Sequence, residues 1–75
     1  MKKALTLPHR VGLAMRRRRE ALKMNQDDFA DSISMHRTQY SALERGEKNL
    51  SLASLNRVSE GLGIKISELL DDAGL

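Results

Sequence analysis

Arg37-Thr38-Gln39, Ser41 and Arg45 crowd into one short stretch, interleaved with the apolar positions Met35, Tyr40 and Leu43. With Tyr40 and Leu43 turned inward on a helix, Arg37, Thr38, Ser41, Ala42 and Arg45 share much of the opposite face, because residues three and four apart are helix neighbours. That face is small, polar and basic. Its guanidinium forks and hydroxyls suit phosphate oxygens and the acceptor edges of nucleobases. Catalysis lacks its parts. His9 and His36 stand alone, outside any metal-ligand spacing. No Gly-rich phosphate loop follows a strand, and no serine is paired with an oriented base. The expectation is a binding protein, not an enzyme, with no metal and no cofactor.

The elements that must hold this face can be read from start and stop signals. Asn25 is placed to cap a helix over about 26–33, and Asp28 three residues later resembles a capping box. Phe29, Ala30 and Ile33 recur there at helical spacing until Ser34 breaks the pattern. A further helix over about 36–44 carries Met35, Tyr40 and Leu43 inward and closes at Gly46. Upstream, Thr6 and Pro8 start a first helix running to about Lys23, with Val11, Met15 and Leu22 inward. Gly46 to Leu50 is a polar loop. Ser51 caps a fourth helix with Leu52, Leu55, Val58 and Leu62 on one side, ended by Gly61 and Gly63. Ile64 and Ile66 alternate around Lys65 as an apolar connection, and Ser67 caps a last short helix bearing Leu69 and Leu70. Five helices without a strand define a compact all-α fold. With no repeat or linker, residues 1–75 are read as a single domain with its core at about 10–70.

Composition agrees with a small helical core. The only aromatics are Phe29 and Tyr40, so the 40% hydrophobic content is otherwise aliphatic or methionine. At 75 residues a single core is marginal and dimerisation commonly adds stability. The absence of cysteine removes disulfides and thiolate metal sites and fits a reducing cytoplasm. No run approaches the roughly 20 apolar residues of a membrane span, so a cytoplasmic protein without a membrane role is expected.

The net charge of +3 conceals an asymmetry: residues 1–25 hold eight basic groups and one acid, residues 26–75 five basic groups and nine acids. Such a surface attracts polyanions in a salt-dependent way. Asp27 and Asp28 fall where a helix dipole favours them, and Asp71 and Asp72 lie in the tail, read as far from the basic surface. The run Arg16-Arg17-Arg18-Arg19 points around most of a helix axis and cannot face one ligand. Arg18 falls on the apolar side, where its stem can run along the core edge; Arg16 and Arg17 read as a solvated face. Membrane-surface binding by this helix would need its apolar face, which the core already uses.

The pattern Gly12…Met15-Arg16…Arg19…Met24-Asn25-Gln26…Phe29-Ala30…Ile33…Arg37-Thr38…Tyr40-Ser41…Leu43-Glu44-Arg45-Gly46…Leu52…Leu55…Leu62-Gly63…Leu69-Leu70 resembles the Xre/Cro/lambda-repressor helix-turn-helix family. Within it, Arg37-Thr38, Glu44-Arg45 and the short C-terminal end are similar to the controller proteins of restriction–modification systems. The resemblance implies a sequence-specific regulator of transcription that binds double-stranded DNA as a homodimer, the third helix entering the major groove. It makes Arg37, Thr38, Gln39 and Ala42 the candidates for base contact, Arg37 through guanine O6 and N7; Gln39 is equally suited to a neighbouring phosphate. Phosphate contacts are expected from Asn25, Gln26, His36, Ser41, Arg45, Lys48 and Asn49. Arg19 and Glu44 are implied as a structural ion pair tying the first helix to the end of the third. Three positions depart from the family pattern: Arg18 stands where the family usually has something less charged, Ser34 where many relatives have glycine, and His36 where a Ser or Thr cap is commoner.

Ile64, Ile66, Leu69, Leu70 and Leu75 are more apolar than a free surface of this size requires. They either form the dimer interface or close the domain's own core. The rival to DNA regulation is a protein-binding module, such as an antitoxin holding a toxin partner; its mark would be an extended partner-binding tail, and little chain follows Leu70.

Overall fold

A computed structural model describes residues 6–48 and 50–75. Among them are five helices and no strand: α1 (Leu7–Ala21), α2 (Gln26–Ser32), α3 (Arg37–Glu44), α4 (Leu52–Leu62) and α5 (Ile66–Asp72). Three of the starts are set by local hydrogen bonds. The Thr6 hydroxyl accepts from His9 N–H, the Asn25 amide oxygen from Asp28 N–H at 2.8 Å and the Ser51 hydroxyl from Ser54 N–H at 3.0 Å. Each meets a backbone donor that the first helical turn would otherwise leave unpaired.

Helix α1 is the central strut, packing on α3, α4 and α5, while α2 packs on α3. Its approach to α3 is close enough that a Cβ on Gly12 would lie 2.4 Å from the Glu44 carbonyl oxygen and 2.5 Å from that of Leu43. Only a residue without a side chain permits this approach. Met15, Phe29, Tyr40, Val58 and Leu69 are fully enclosed, and the Phe29 and Tyr40 rings meet with centroids 5.0 Å apart at a tilt of 51°. This pair lies where α2 meets α3 and is the one aromatic contact between the two helices. The turn between them places Ser34 at φ 55°, in the left-handed region, which explains why glycine suits this position.

Several sequence expectations are corrected here. Leu22 is not inward: α1 ends at Ala21, Lys23 turns left-handed at φ 60°, and Leu22 is 47% exposed. Leu52 is 77% exposed because the first residue of α4 precedes the packed turn formed by Leu55 and Val58. Gly61 does not end α4 but lies within it, against Ile33 and Phe29; Gly63, at φ 73°, is the stop. Ser67 is not the cap of α5. That helix begins at Ile66, and Glu68 reaches back to accept the Lys65 N–H at 3.0 Å. Asp72 is not remote from the basic surface: α5 packs on α1, and Asp72 pairs with Arg18.

The apolar C-terminal set divides. Leu69 is fully buried in the core, because α5 packs it against α1, and is therefore excluded from any interface between subunits. Ile64 and Leu70 are half-buried against the same core, Ile66 is half-buried, and Leu75 is 50% exposed. Among the described residues, no helix is long and apolar enough to cross a membrane.

Candidate nucleic-acid interface

Helix α3 is gripped at its C-terminal end by a buried polar network. The Arg19 guanidinium from α1 donates to both Glu44 carboxylate oxygens, Nε at 2.7 Å and Nη2 at 3.2 Å, and its Nη1 donates to the Met24 carbonyl at 2.7 Å. From α2, Gln26 Nε2 donates to Glu44 Oε1 at 2.8 Å, while Gln26 Oε1 accepts from the Ser41 hydroxyl at 2.6 Å. Both members of the ion pair are under 10% exposed, Arg19 at 7% and Glu44 at 5%. Burial by itself would raise the Glu44 carboxyl, but the bonds from Arg19 and Gln26, with the Tyr40 hydroxyl alongside, hold it below the ordinary carboxylate range. The Tyr40 hydroxyl is buried without a hydrogen bond of normal geometry, and burial beside Glu44 pushes it far above the usual tyrosine value. One network thus joins α1, α2 and α3 through fixed, charge-assisted bonds.

The opposite end of α3 is open. Arg37, Thr38 and Gln39 are all exposed, as are His36 at the N-cap position and Asn25 at the cap of α2. His36 makes no side-chain cap bond. Arg37 Nη1 donates to Asp27 Oδ2 of α2 at 3.0 Å. Arg45 is exposed and forked onto Glu47 at 2.9 and 3.0 Å, and Lys48 is exposed beside it. Asn49 lies outside the described residues.

Two of the candidate positions are altered by these contacts. Ala42 is 6% exposed and is not on the outer face. The helix closes just beyond it, Glu47 N–H donating to its carbonyl at 3.0 Å, and Ala42, Leu43 and Glu44 are buried in succession, more than a one-sided amphipathic stripe allows. The Ser41 hydroxyl is engaged with Gln26, and the Gln26 amide with both Ser41 and Glu44, which leaves Gln26 one amide N–H outside these bonds.

Sequence reasoning missed three partners. The sequence suggests only a helix-dipole role for Asp27, yet the turn between α2 and α3 carries its carboxylate to Arg37 across ten positions. Arg10 of α1 donates to the carbonyls of Ala73 and Gly74 at 3.0 and 2.7 Å, capping the end of α5, and Arg18 holds Asp72, its Nη2 3.2 Å from Oδ1. Neither of these bonds has a local signal, because the partners are more than fifty residues apart in the chain. No three His, Cys, Asp or Glu side chains among the described residues are grouped to hold a metal ion.

The sequence and the overall fold are similar to those of known proteins. The helix-turn-helix family profile fits residues 15–69. Over 55 residues the chain is 46% identical to the control protein C.MunI of Mycoplasma sp, a match covering 73% of this chain and 74% of that protein. The crystal structure of the clp gene regulator ClgR from Corynebacterium glutamicum superposes with a TM-score of 0.89 at 27% identity, covering 95% of this chain and 92% of that one. The restriction–modification controller protein C.AhdI from Aeromonas hydrophila superposes with a TM-score of 0.79 at 27% identity, covering 83% and 94%.

Proposed function

We propose, for a chain that belongs to the helix-turn-helix family of DNA-binding regulators, that residues 1–75 form one domain that recognises a specific double-stranded DNA sequence as a homodimer. Each subunit lays α3 in the major groove of one half-site, the two half-sites about 34 Å apart. The observation that carries this reading is the division of α3. Its first residues Arg37, Thr38 and Gln39 are exposed, while its last turn is fixed by Glu44 to Arg19 and Gln26. A recognition helix needs this combination, because base-reading donors must be presented from a support that does not reorganise on contact.

In this reading Arg37 presents its fork to guanine O6 and N7, a contact worth about 1–3 kcal/mol of discrimination. Thr38 offers a hydroxyl to a base edge and a methyl to thymine, and Gln39 a base or backbone contact. Asn25, the remaining amide N–H of Gln26, His36, Ser41, Arg45, Lys48 and Asn49 supply phosphate contacts that set the register. The dimer surface draws on Ile66, Leu70 and Leu75 with Ile64 at its edge. Dimerisation linked to DNA binding would give a steep response to protein concentration. By its likeness to C.MunI and C.AhdI, the chain acts as a controller of a restriction–modification system in the cytoplasm.

The test is an anisotropy titration of wild type and Arg37→Ala against DNA from upstream of the gene and against scrambled DNA, at two salt concentrations. Wild type is expected to prefer its own upstream DNA. Arg37→Ala is expected to lose that preference while keeping salt-dependent non-specific binding. Equal binding of both DNAs by wild type would reject the reading.

A further inference from the structure

We infer that Asp27 is a positioning residue that orients Arg37 for guanine and so sets sequence discrimination, an inference that rests on Arg37 being the base-reading residue proposed above. The observation is the bond from Arg37 Nη1 to Asp27 Oδ2 at 3.0 Å, between side chains that are 67% and 58% exposed. An ion pair this open contributes little to folding, because water and salt screen it. Its consequence is for the direction of the guanidinium.

Arg37 opens α3, where the helix dipole disfavours a positive charge, whereas Asp27 lies in the first turn of α2, where the dipole favours a negative one. The short aspartate, its charge favoured by its own helix, is therefore the less mobile member and the long arginine the more mobile one. A free arginine loses considerable rotamer freedom when it docks, and a partner that restricts it beforehand lowers that loss. The bond to Asp27 also leaves the right donors over. It uses one N–H of Nη1, while Nε and Nη2 make no hydrogen bond to any described residue. Those two form a parallel donor edge that matches guanine O6 and N7.

The same carboxylate has an opposite effect on affinity. A negative charge on a surface that approaches phosphates weakens sequence-independent attraction. Asp27 thus lowers non-specific binding while raising discrimination, and its removal should move the two quantities in opposite directions. A residue acting only through fold stability would move neither in that way. Asp31 provides the internal control. It lies on the same α2 and lines the hollow that also includes His36 and Arg37, but makes no bond to Arg37.

The experiment uses the duplex that wild type itself selects from a randomised pool, and the same duplex with each guanine replaced in turn. Arg37→Ala identifies the guanine whose replacement no longer matters. At that position Asp27→Ala is expected to lose about three- to tenfold of discrimination, with tighter binding to scrambled DNA. Asp27→Asn removes the charge but keeps an acceptor, so it should bind scrambled DNA as tightly as Asp27→Ala while recovering part of the discrimination. Asp31→Ala should raise scrambled-DNA binding without touching discrimination, and Asp27→Ala should have no further effect on discrimination once Arg37 is alanine. If Arg37→Ala loses discrimination and Asp27→Ala keeps all of it, the positioning role is overturned and the base-reading role of Arg37 survives. If Arg37→Ala keeps its discrimination, or wild type selects no sequence, the functional reading itself fails and the role of Asp27 with it.

Discussion

The last turn of α3 and its first turn are eight residues of one helix with opposite physics. At the last turn Glu44 is 5% exposed and takes three hydrogen bonds from two other helices, with Leu43 and Tyr40 buried beside it. At the first turn Arg37, Thr38 and Gln39 stand in solvent, and the described bond made there is the exposed pair with Asp27. Anchorage and presentation are therefore separated along the helix axis as well as across its width. A substitution at one end should change stability and leave recognition of charge alone, and a substitution at the other should do the reverse.

The most severe way to break this separation is Glu44→Ala, which leaves Arg19 buried without its partner. Unfolding in urea should show a loss of about 3–5 kcal/mol, and DNA binding should fall with the folded fraction. A loss below about 1 kcal/mol would mean that the pair is no anchor. Gly12→Ala probes the same end from α1. Its Cβ would meet two α3 carbonyls inside 2.6 Å, and a loss of about 1–3 kcal/mol is expected as the helices move apart.

Acid sharpens the contrast without a new side chain. The Glu44 carboxyl is held below its ordinary value of 4.5 in the folded protein. Its stabilisation is therefore complete above the unfolded value and disappears as pH falls through the lower folded one. Asp72 and Glu47 are displaced in the same direction by Arg18 and Arg45, so the part due to Glu44 is the difference between wild type and Glu44→Gln. That difference should begin to narrow as pH falls through the ordinary value of 4.5 and go on narrowing toward the lower folded one. A gap that stays constant to pH 2 would rule out the buried carboxylate as its origin.

Ser34→Gly acts at the turn between the two ends. Removing the Cβ from a left-handed residue at φ 55° should stabilise by up to about 1 kcal/mol, net of the added freedom of the unfolded chain. Thermal melting would reveal a loss instead if the Ser34 side chain were contributing. The smallest stability effect belongs to Arg37→Ala, within about 0.5 kcal/mol, although this is the variant expected to lose sequence preference. A large drop in its melting temperature would place Arg37 in the anchor and erase the distinction.

The legibility of the molecule follows the range of the forces involved. The five helices, the inward rows Phe29-Ala30-Ile33 and Leu55-Val58-Leu62, and the caps Thr6, Asn25 and Ser51 could all be read from the chain. A cap bonds a donor three residues away, and a helical stripe repeats every three or four, so the sequence contains both partners within one turn. Ser34, marked as the place where glycine is expected, proved to be the residue that takes the left-handed turn.

What only the tertiary structure decided is which helix faces which, since that requires surfaces contributed by distant residues. Periodicity places Leu22 and Leu52 inside and Ala42 outside; the ends of α1 and α4 leave the leucines uncovered, while Ala42 is buried together with Leu43 and Glu44 in the packed last turn of α3. Asp72 reaches Arg18 because α5 closes on α1, and Leu69 is core for the same reason. Asp27 reaches Arg37 because α2 packs on α3, with Phe29 against Tyr40. Local hydrogen bonding and side-chain period wrote the helices into the sequence; the pairing of charges and the division of α3 into an anchored and an open end arose only when packing brought separate helices within bonding distance.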